Sequence, residues 1–306
     1  MKKYLVKILS ILSILTFVVM ISCQNKDTKE IVVQEVKKSL PAKIAAPAPS
    51  PSATLKQKVG LTDITITYSR PGMKGRAIFG NLVPFDKVWR TGANKNTEVT
   101  FSTEVMVGDK NVAAGTYALY TKPGKNKWDV ILYSASDNWG NPKEWDDAKV
   151  VASATVDVIK MPMDVETFTI TIDDITNNSA LLGLLWENVY VGMPFTVPTD
   201  KAVMASIDEV LSGKPNARAY YDAAVYYNSE NKDIKKTVTM IDKAIEMSKE
   251  NPQFWMLRQQ SLIHAKAGKT ATAIAAAKLS LALANKAGNA DYVKMNEDSL
   301  KEWGAK

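Results

Sequence analysis

Three arginines crowd into one short stretch. Arg70, Arg76 and Arg90 are joined there by Trp89 and, four residues past Arg90, by Asn94. The run reads Arg70-Pro71-Gly72-Met73-Lys74-Gly75-Arg76-Ala77-Ile78-Phe79-Gly80, then Leu82-Val83-Pro84-Phe85 and Val88-Trp89-Arg90-Thr91-Gly92-Ala93-Asn94. A guanidinium is a planar fork of donors that fits a carboxylate or phosphate and stacks on aromatic faces. Such a set could hold a small anionic or carbohydrate ligand. Trp139, in the polar, turn-rich stretch 137–147, could add an apolar plane for a sugar ring. The same forks could instead pair with Asp86, Glu98, Glu187 or backbone carbonyls and pin an irregular loop. Proline and glycine punctuate the stretch too often for a regular element. Phe79, Phe85, Val88 and Trp89 nevertheless require it to pack down. On sequence alone both readings are open.

Other chemistries lack their residues. The one histidine, His264, falls in the helical C-terminal region, and the one cysteine, Cys23, lies near the N-terminus. The strand-rich part therefore has no Ser-His-Asp, Cys-His or histidine-metal constellation. No Gly-x-x-x-x-Gly-Lys-Ser/Thr loop or Gly-x-Gly-x-x-Gly is present. No catalytic residue, metal or cofactor is expected. Carboxylates remain: Glu144, Asp146 and Asp147 cluster after Trp139, and Asp173-Asp174 end a strand. A pair facing each other across a cleft could hydrolyse a glycan, which makes a carboxylate-dependent hydrolase the alternative reading. Adjacent acids at strand ends more commonly serve turns. Asp137-Asn138-Trp139-Gly140-Asn141 has oxygen ligands in a glycine turn but not the full pattern of a calcium loop.

The elements that must position these residues follow an N-terminal address. Lys2-Lys3, an apolar run over 5–19, then Met20-Ile21-Ser22-Cys23 read as a signal peptide over 1–22. The run is short for a membrane span, which needs about 20 apolar residues. With the small Ser22 before it, Cys23 is the expected lipidated N-terminus, giving a membrane contact through lipid. The formal charge of +7 includes Lys2, Lys3 and Lys7, so the chain beyond residue 22 carries +4. No segment has the dense basic face that a nucleic-acid backbone requires, so nucleic acid is excluded as a partner.

Residues 23–57, charged and then rich in Ala, Pro and Ser, read as a tether. Residues 58–198 show period-2 alternation, as in Ile64, Ile66 and Tyr68, with turns at 108–111 and 123–126. Short strands separated by turns predict an antiparallel β-sandwich. Trp128 and Trp186 lie in strand patterns and are expected in its core. Residues 199–306 switch to helical spacing, with Asp200 and Asn216 as starts and Gly213, Gly268 and Gly288 as stops.

Two resemblances add to this reading. The run Gly75-Arg76-x-Ile78-Phe79-Gly80-x-Leu82-Val83-Pro84, with Trp89-Arg90-Thr91-Gly92-Ala93-Asn94 downstream, resembles the hallmark of the domain of unknown function 2911 family. The resemblance covers about residues 60–198. It implies an exported bacterial β-rich domain, often followed by helical repeats, and no activity. The pattern of Tyr220-Tyr221, Ala223-Ala224, Tyr226-Tyr227 and Ala244, then Phe254-Trp255, Gly268 and Ala276-Ala277, resembles tetratricopeptide repeats. Ala244 and Ser280 stand 36 residues apart, against about 34 in the standard repeat. The expected architecture is thus multi-domain β + α, an antiparallel β-sandwich followed by a short all-α tetratricopeptide-like array. The expected role is a cell-envelope binding module that takes a ligand on the sandwich or a protein partner on the helices. A structural assembly factor is a third possibility. If Cys23 carries the lipid, Cys23→Ala should leave the protein soluble and unacylated; unchanged membrane fractionation of that variant rules the anchor out.

Overall fold

The computed structural model describes residues 44–305, so the expected signal peptide, Cys23 and most of the expected tether lie outside the described residues. Among the described residues no helix is long and apolar enough to cross a membrane. Among the described residues ten strands precede six α-helices. The strands are Ser52–Val59 (β1), Thr62–Ser69 (β2), Thr97–Phe101 (β3), Val105–Val107 (β4), Lys110–Val112 (β5), Gly115–Pro123 (β6), Lys127–Tyr133 (β7), Val150–Asp157 (β8), Ile159–Asp173 (β9) and Ser179–Thr196 (β10). They form two antiparallel sheets, ordered β1-β2-β3-β6-β7-β8 and β5-β4-β10-β9.

The alternation read from sequence becomes the packing of these sheets. In β2 Ile64, Ile66 and Tyr68 are buried while Asp63 and Thr67 are exposed. One core contains Ile64, Ile66, Val99, Leu119 and Val130 from the larger sheet and Val107, Leu182, Leu184, Val191 and Phe195 from the smaller. Both inner faces therefore bury against each other, which is a β-sandwich.

β1 starts at Ser52, six residues before the boundary expected from composition at 58. It pairs with β2 along its whole length, Ser52 opposite Ser69 and Val59 opposite Thr62. β1 is an edge strand whose first seven residues are only half-buried or exposed. Ala53 and Leu55 turn toward the core, but the alternation is short and broken at Gln57, so Ser52–Gln57 resembles tether in composition while its backbone pairs as strand.

The helices are Thr199–Ser212 (α1), Ala217–Ser229 (α2), Ile234–Met247 (α3), Phe254–Lys266 (α4), Thr270–Lys286 (α5) and Ala290–Glu302 (α6). Asn216 caps α2, its side chain accepting from the Ala219 N–H. Gly268 and Gly288 follow α4 and α5 with φ of +74° and +67°, the left-handed step that ends a helix. Consecutive helices pack on one another, and α4 also touches α2 and α6. That is a stack of helical hairpins.

The helices are fastened to the sandwich. The Leu61 N–H at the β1–β2 turn donates to Thr199 Oγ1 at 3.3 Å. Asn177 and Asn178, in the β9–β10 turn, each donate to Glu230 at 2.6 Å. Asn178 Oδ1 accepts from the Asp200 N–H at 3.0 Å. Asp200 in turn binds Lys232 Nζ at 2.6 Å and the Tyr226 hydroxyl at 2.9 Å. Strands and helices thus share one compact unit that begins at residue 47.

Lys232 and then Tyr226, both hydrogen-bonded to the Asp200 carboxylate, hold its pKa below the usual value. A carboxylate with a lowered folded pKa stabilises the fold above its unfolded pKa, about 3.9. That stabilisation fades as pH falls through the folded value. In urea titrations across pH, wild type should therefore exceed Asp200→Asn in stability at neutral pH, and the gap should close below about pH 4.

Candidate functional site

The arginine-rich block closes one end of the sandwich by joining its two sheets. At its start it runs beside the β9 edge: the Phe168 N–H donates to the Pro71 carbonyl at 2.9 Å and the Met73 N–H to Glu166 O at 2.7 Å. At its far end it runs beside β6: Trp89 and Thr121 exchange backbone hydrogen bonds of 2.7 and 2.9 Å. Between these anchors the backbone bonds in turns, Gly80 N–H to Val83 O and Val83 N–H to Ile78 O, each at 2.9 Å, and side chains in and around the block add further bonds. Arg70 Nε donates to Phe168 O at 3.0 Å and its Nη2 to Thr169 Oγ1 at 2.7 Å. Arg76, exposed, donates to the carbonyls of Met73 and Gly72 at 2.8 and 2.7 Å. Asn94 Nδ2 reaches Ser50 O and Ser69 Oγ at 3.3 and 3.2 Å. Glu187 accepts from the backbone N–H groups of Ile78 and Phe79.

Trp89 sits in the core, 8% exposed. Its ring stacks on Trp186 at 5.8 Å and 17°, and meets Phe79, Trp128 and Phe168 edge-on. Its indole N–H donates to Gly92 O. The strand pleat then decides the next residue: with Trp89 inward, Val88 and Arg90 face outward. Val88 packs on a second, outer cluster of Ala118, Tyr120, Ile131 and Tyr133.

A loop of residues 134–149 covers that outer cluster and is held by its polar side chains. Asn138 and Asn96 are joined by bonds of 2.8 and 3.0 Å. Asn138 Nδ2 donates to Ala135 O and to the Tyr120 hydroxyl. Asn141 Nδ2 donates to Val88 O at 2.7 Å. Trp145 packs on Tyr133, ring centroids 4.7 Å apart. Trp139 does not pack down and is 80% exposed. Arg90 lies under this loop, its Nη1 3.8 Å from where a Cβ on Gly140 would stand.

The six candidates therefore separate. Arg70, Arg76 and Asn94 spend donors on neighbouring backbone or hydroxyl oxygens, and Trp89 lies in the core. Arg90 lies beneath the loop that carries Trp139, close to the next residue, Gly140. Asn138 stood in the glycine turn weighed for calcium, but Asn96 and Tyr120, its partners in holding the loop, had no motif to mark them; only the tertiary contacts pair residues 42 and 18 apart.

The acids occupy turns and caps. Asp146 caps the short 3-10 helix Asp147–Lys149, and Asp147 accepts from the Trp145 indole. Asp173 accepts from the Thr171 and Tyr190 hydroxyls. Burial, and then the bond to Asp173, push the Tyr190 hydroxyl up to about 12. His264 is buried, with Nε2 2.7 Å from Asp242 Oδ1, which also accepts from Gln260.

A groove of about 520 Å³ opens between α1 and α2. Val203, Ile207 and Val210 form one wall, Ala219 and Ala223 the other, and Leu61 from the β1–β2 turn closes an end. Arg218 and Asp222 stand at its edge, paired at 2.8 Å. Arg218 also lies over the rings of Tyr221 and Trp255, each centroid 5.5 Å away.

Three substitutions separate core, pin and surface in chemical denaturation. Trp89→Ala should cost about 3–5 kcal/mol through the cavity it leaves. Arg70→Ala should cost about 1.5–3 kcal/mol for its charged hydrogen bonds. Trp139→Ala should change stability by no more than about 0.5 kcal/mol.

No curated protein and no solved structure matches the chain. A family model does, over the β-sandwich. Residues 50–195, which hold the arginine block, both sheets and the Trp139 loop, match the family described as protein of unknown function DUF2911.

Proposed function

We propose that this chain is a lipid-anchored binding protein of the bacterial cell envelope whose helical half docks a helix of a protein partner. The observation that carries the reading is the groove between α1 and α2. Val203, Ile207 and Val210 lie at helical spacing on one wall, and Ala219 and Ala223 at helical spacing on the other. Two apolar stripes of this kind, with small residues on one side, fit the apolar face of an incoming helix. α1 buries only Thr199 fully, and Val210 is 46% exposed, so the groove is uncovered along its length. Arg218 and Asp222 at the rim offer a paired charge to the polar edge of that helix.

The direction of the chain fits docking away from the anchor. The Ser50 and Pro51 carbonyls are held by Asn94 and by the Arg70 N–H, at the start of β1. The groove is reached at the other end of that strand, where Leu61 meets Thr199. Eight residues of strand separate the two ends by roughly 26 Å. The tetratricopeptide resemblance belongs to the same reading, since stacked helical hairpins commonly serve as docking scaffolds.

A photo-crosslinking residue at Ser206, on the groove wall, tests this in the full chain within its envelope. One discrete adduct is expected, with its contacts confined to one helical segment of the partner. Val210→Asp should abolish the adduct and leave stability within about 0.5 kcal/mol. Absence of an adduct, or one that survives Val210→Asp, overturns the proposal.

A further inference from the structure

We infer that Arg90 and Trp139 form a separate recognition site on the outer face of the sandwich, for a saccharide that carries a carboxylate. Arg90 differs from the chain's other arginines. Arg70 and Arg76 bind carbonyls, Arg218 pairs with Asp222, and Arg258 donates to Ser299. The Arg90 side chain has no hydrogen bond or ion pair among the described residues, and its Nε is buried without a partner. A buried donor without an acceptor is costly, so folded proteins rarely leave one unanswered. Neither Asp137 nor Glu98 answers it, because both sit on Lys95, at 3.6 and 3.0 Å.

The surroundings hold the backbone of this residue in place. Trp89 is bonded to Thr121 on both sides of its peptide, and Thr91 follows with φ of +55° and its hydroxyl on Trp89 O. The backbone on either side of Arg90 is thus fixed. Gly140, with φ of +94° and its carbonyl accepting from the Tyr120 hydroxyl, lets the loop pass close over Nη1.

Trp139, the residue before Gly140, is the second observation. It is the most exposed tryptophan of the β domain, yet its loop is tied down on both sides, by Asn138 to Asn96 and by Asn141 to Val88. An indole held in water by a fixed loop loses little further freedom on binding, which suits the C–H face of a pyranose ring. The guanidinium fork that lies by the next residue, Gly140, suits a carboxylate on that ring. The two groups together select a carboxylated sugar over a neutral sugar or a free carboxylate.

The test is calorimetric titration of the purified full chain with trigalacturonate, maltotriose and acetate. Trigalacturonate should bind, and at least about tenfold more tightly than maltotriose or acetate. Arg90→Gln and Trp139→Ala should each weaken trigalacturonate by about tenfold or more. Trp139→Ala keeps the test informative should Arg90→Gln fail to fold, because the indole supports no packing. The site is overturned if trigalacturonate does not bind at millimolar concentration, binds no better than acetate, or binds Trp139→Ala as it binds wild type.

Discussion

The stack of Trp89 on Trp186 is the contact on which the rest of the β domain depends. Trp186 comes from β10 of the smaller sheet, and Trp89 from an irregular segment paired with β6 of the larger. Phe79, Trp128 and Phe168 surround them edge-on, bringing both sheets and the arginine block to one aromatic centre. Each such pair contributes about 0.5–1.5 kcal/mol beyond the area it buries. The cluster fixes the direction of the chain as well as its position. With Trp89 driven inward, the pleat sends Arg90 to the opposite face, under the Trp139 loop.

An irregular segment with a buried aromatic anchor has a hydrogen-bonding problem. Its N–H and C=O groups lose water, and only some of them pair with β9 and β6 or within its own turns. Side chains add further partners. Arg70 and Arg76 donate to carbonyls, Glu187 accepts from two N–H groups, and Asn94 fastens the chain entering β1. These residue types resemble a ligand site in composition because the same donors and acceptors serve both tasks. Arg90 stands apart because its donors are left over.

The junction between strands and helices follows the same logic on a smaller scale. Thr199, Asn178 and Glu230 join a hairpin turn to helix ends, where backbone groups lack intrahelical partners. A Cβ on Gly60 would collide with Thr199 Oγ1 and the Asn177 carbonyl, so the β1–β2 turn approaches α1 as closely as glycine permits. The helices consequently project from the sandwich in a set direction, with α1 held at its first turn and its apolar stripe facing the groove.

Much of the fold was legible in the residues. Alternation in Ile64, Ile66 and Tyr68 marked an inner face, and the change to helical spacing after residue 198 marked the second half, because periodicity is a local consequence of backbone geometry. Asn216, Gly268 and Gly288 signalled helix ends through local chemistry. The core placement of Trp128 and Trp186 was legible for the same reason. The start of β1 was not, since its inward residues before Val59 are only Ala53, Leu55 and Gln57, too weak a pattern to stand out from the Ala- and Ser-bearing tether before it. The division of the arginines was not legible either. Arg70, Arg76 and Arg90 are alike in sequence, and their difference arises from what lies opposite each: a β9 carbonyl, the residue's own turn, or no acceptor. Residue types and period are properties of neighbouring residues and belong to the sequence alone. Which donor is satisfied, and by a residue tens of positions away, was decided only when the two sheets closed on the Trp89–Trp186 stack.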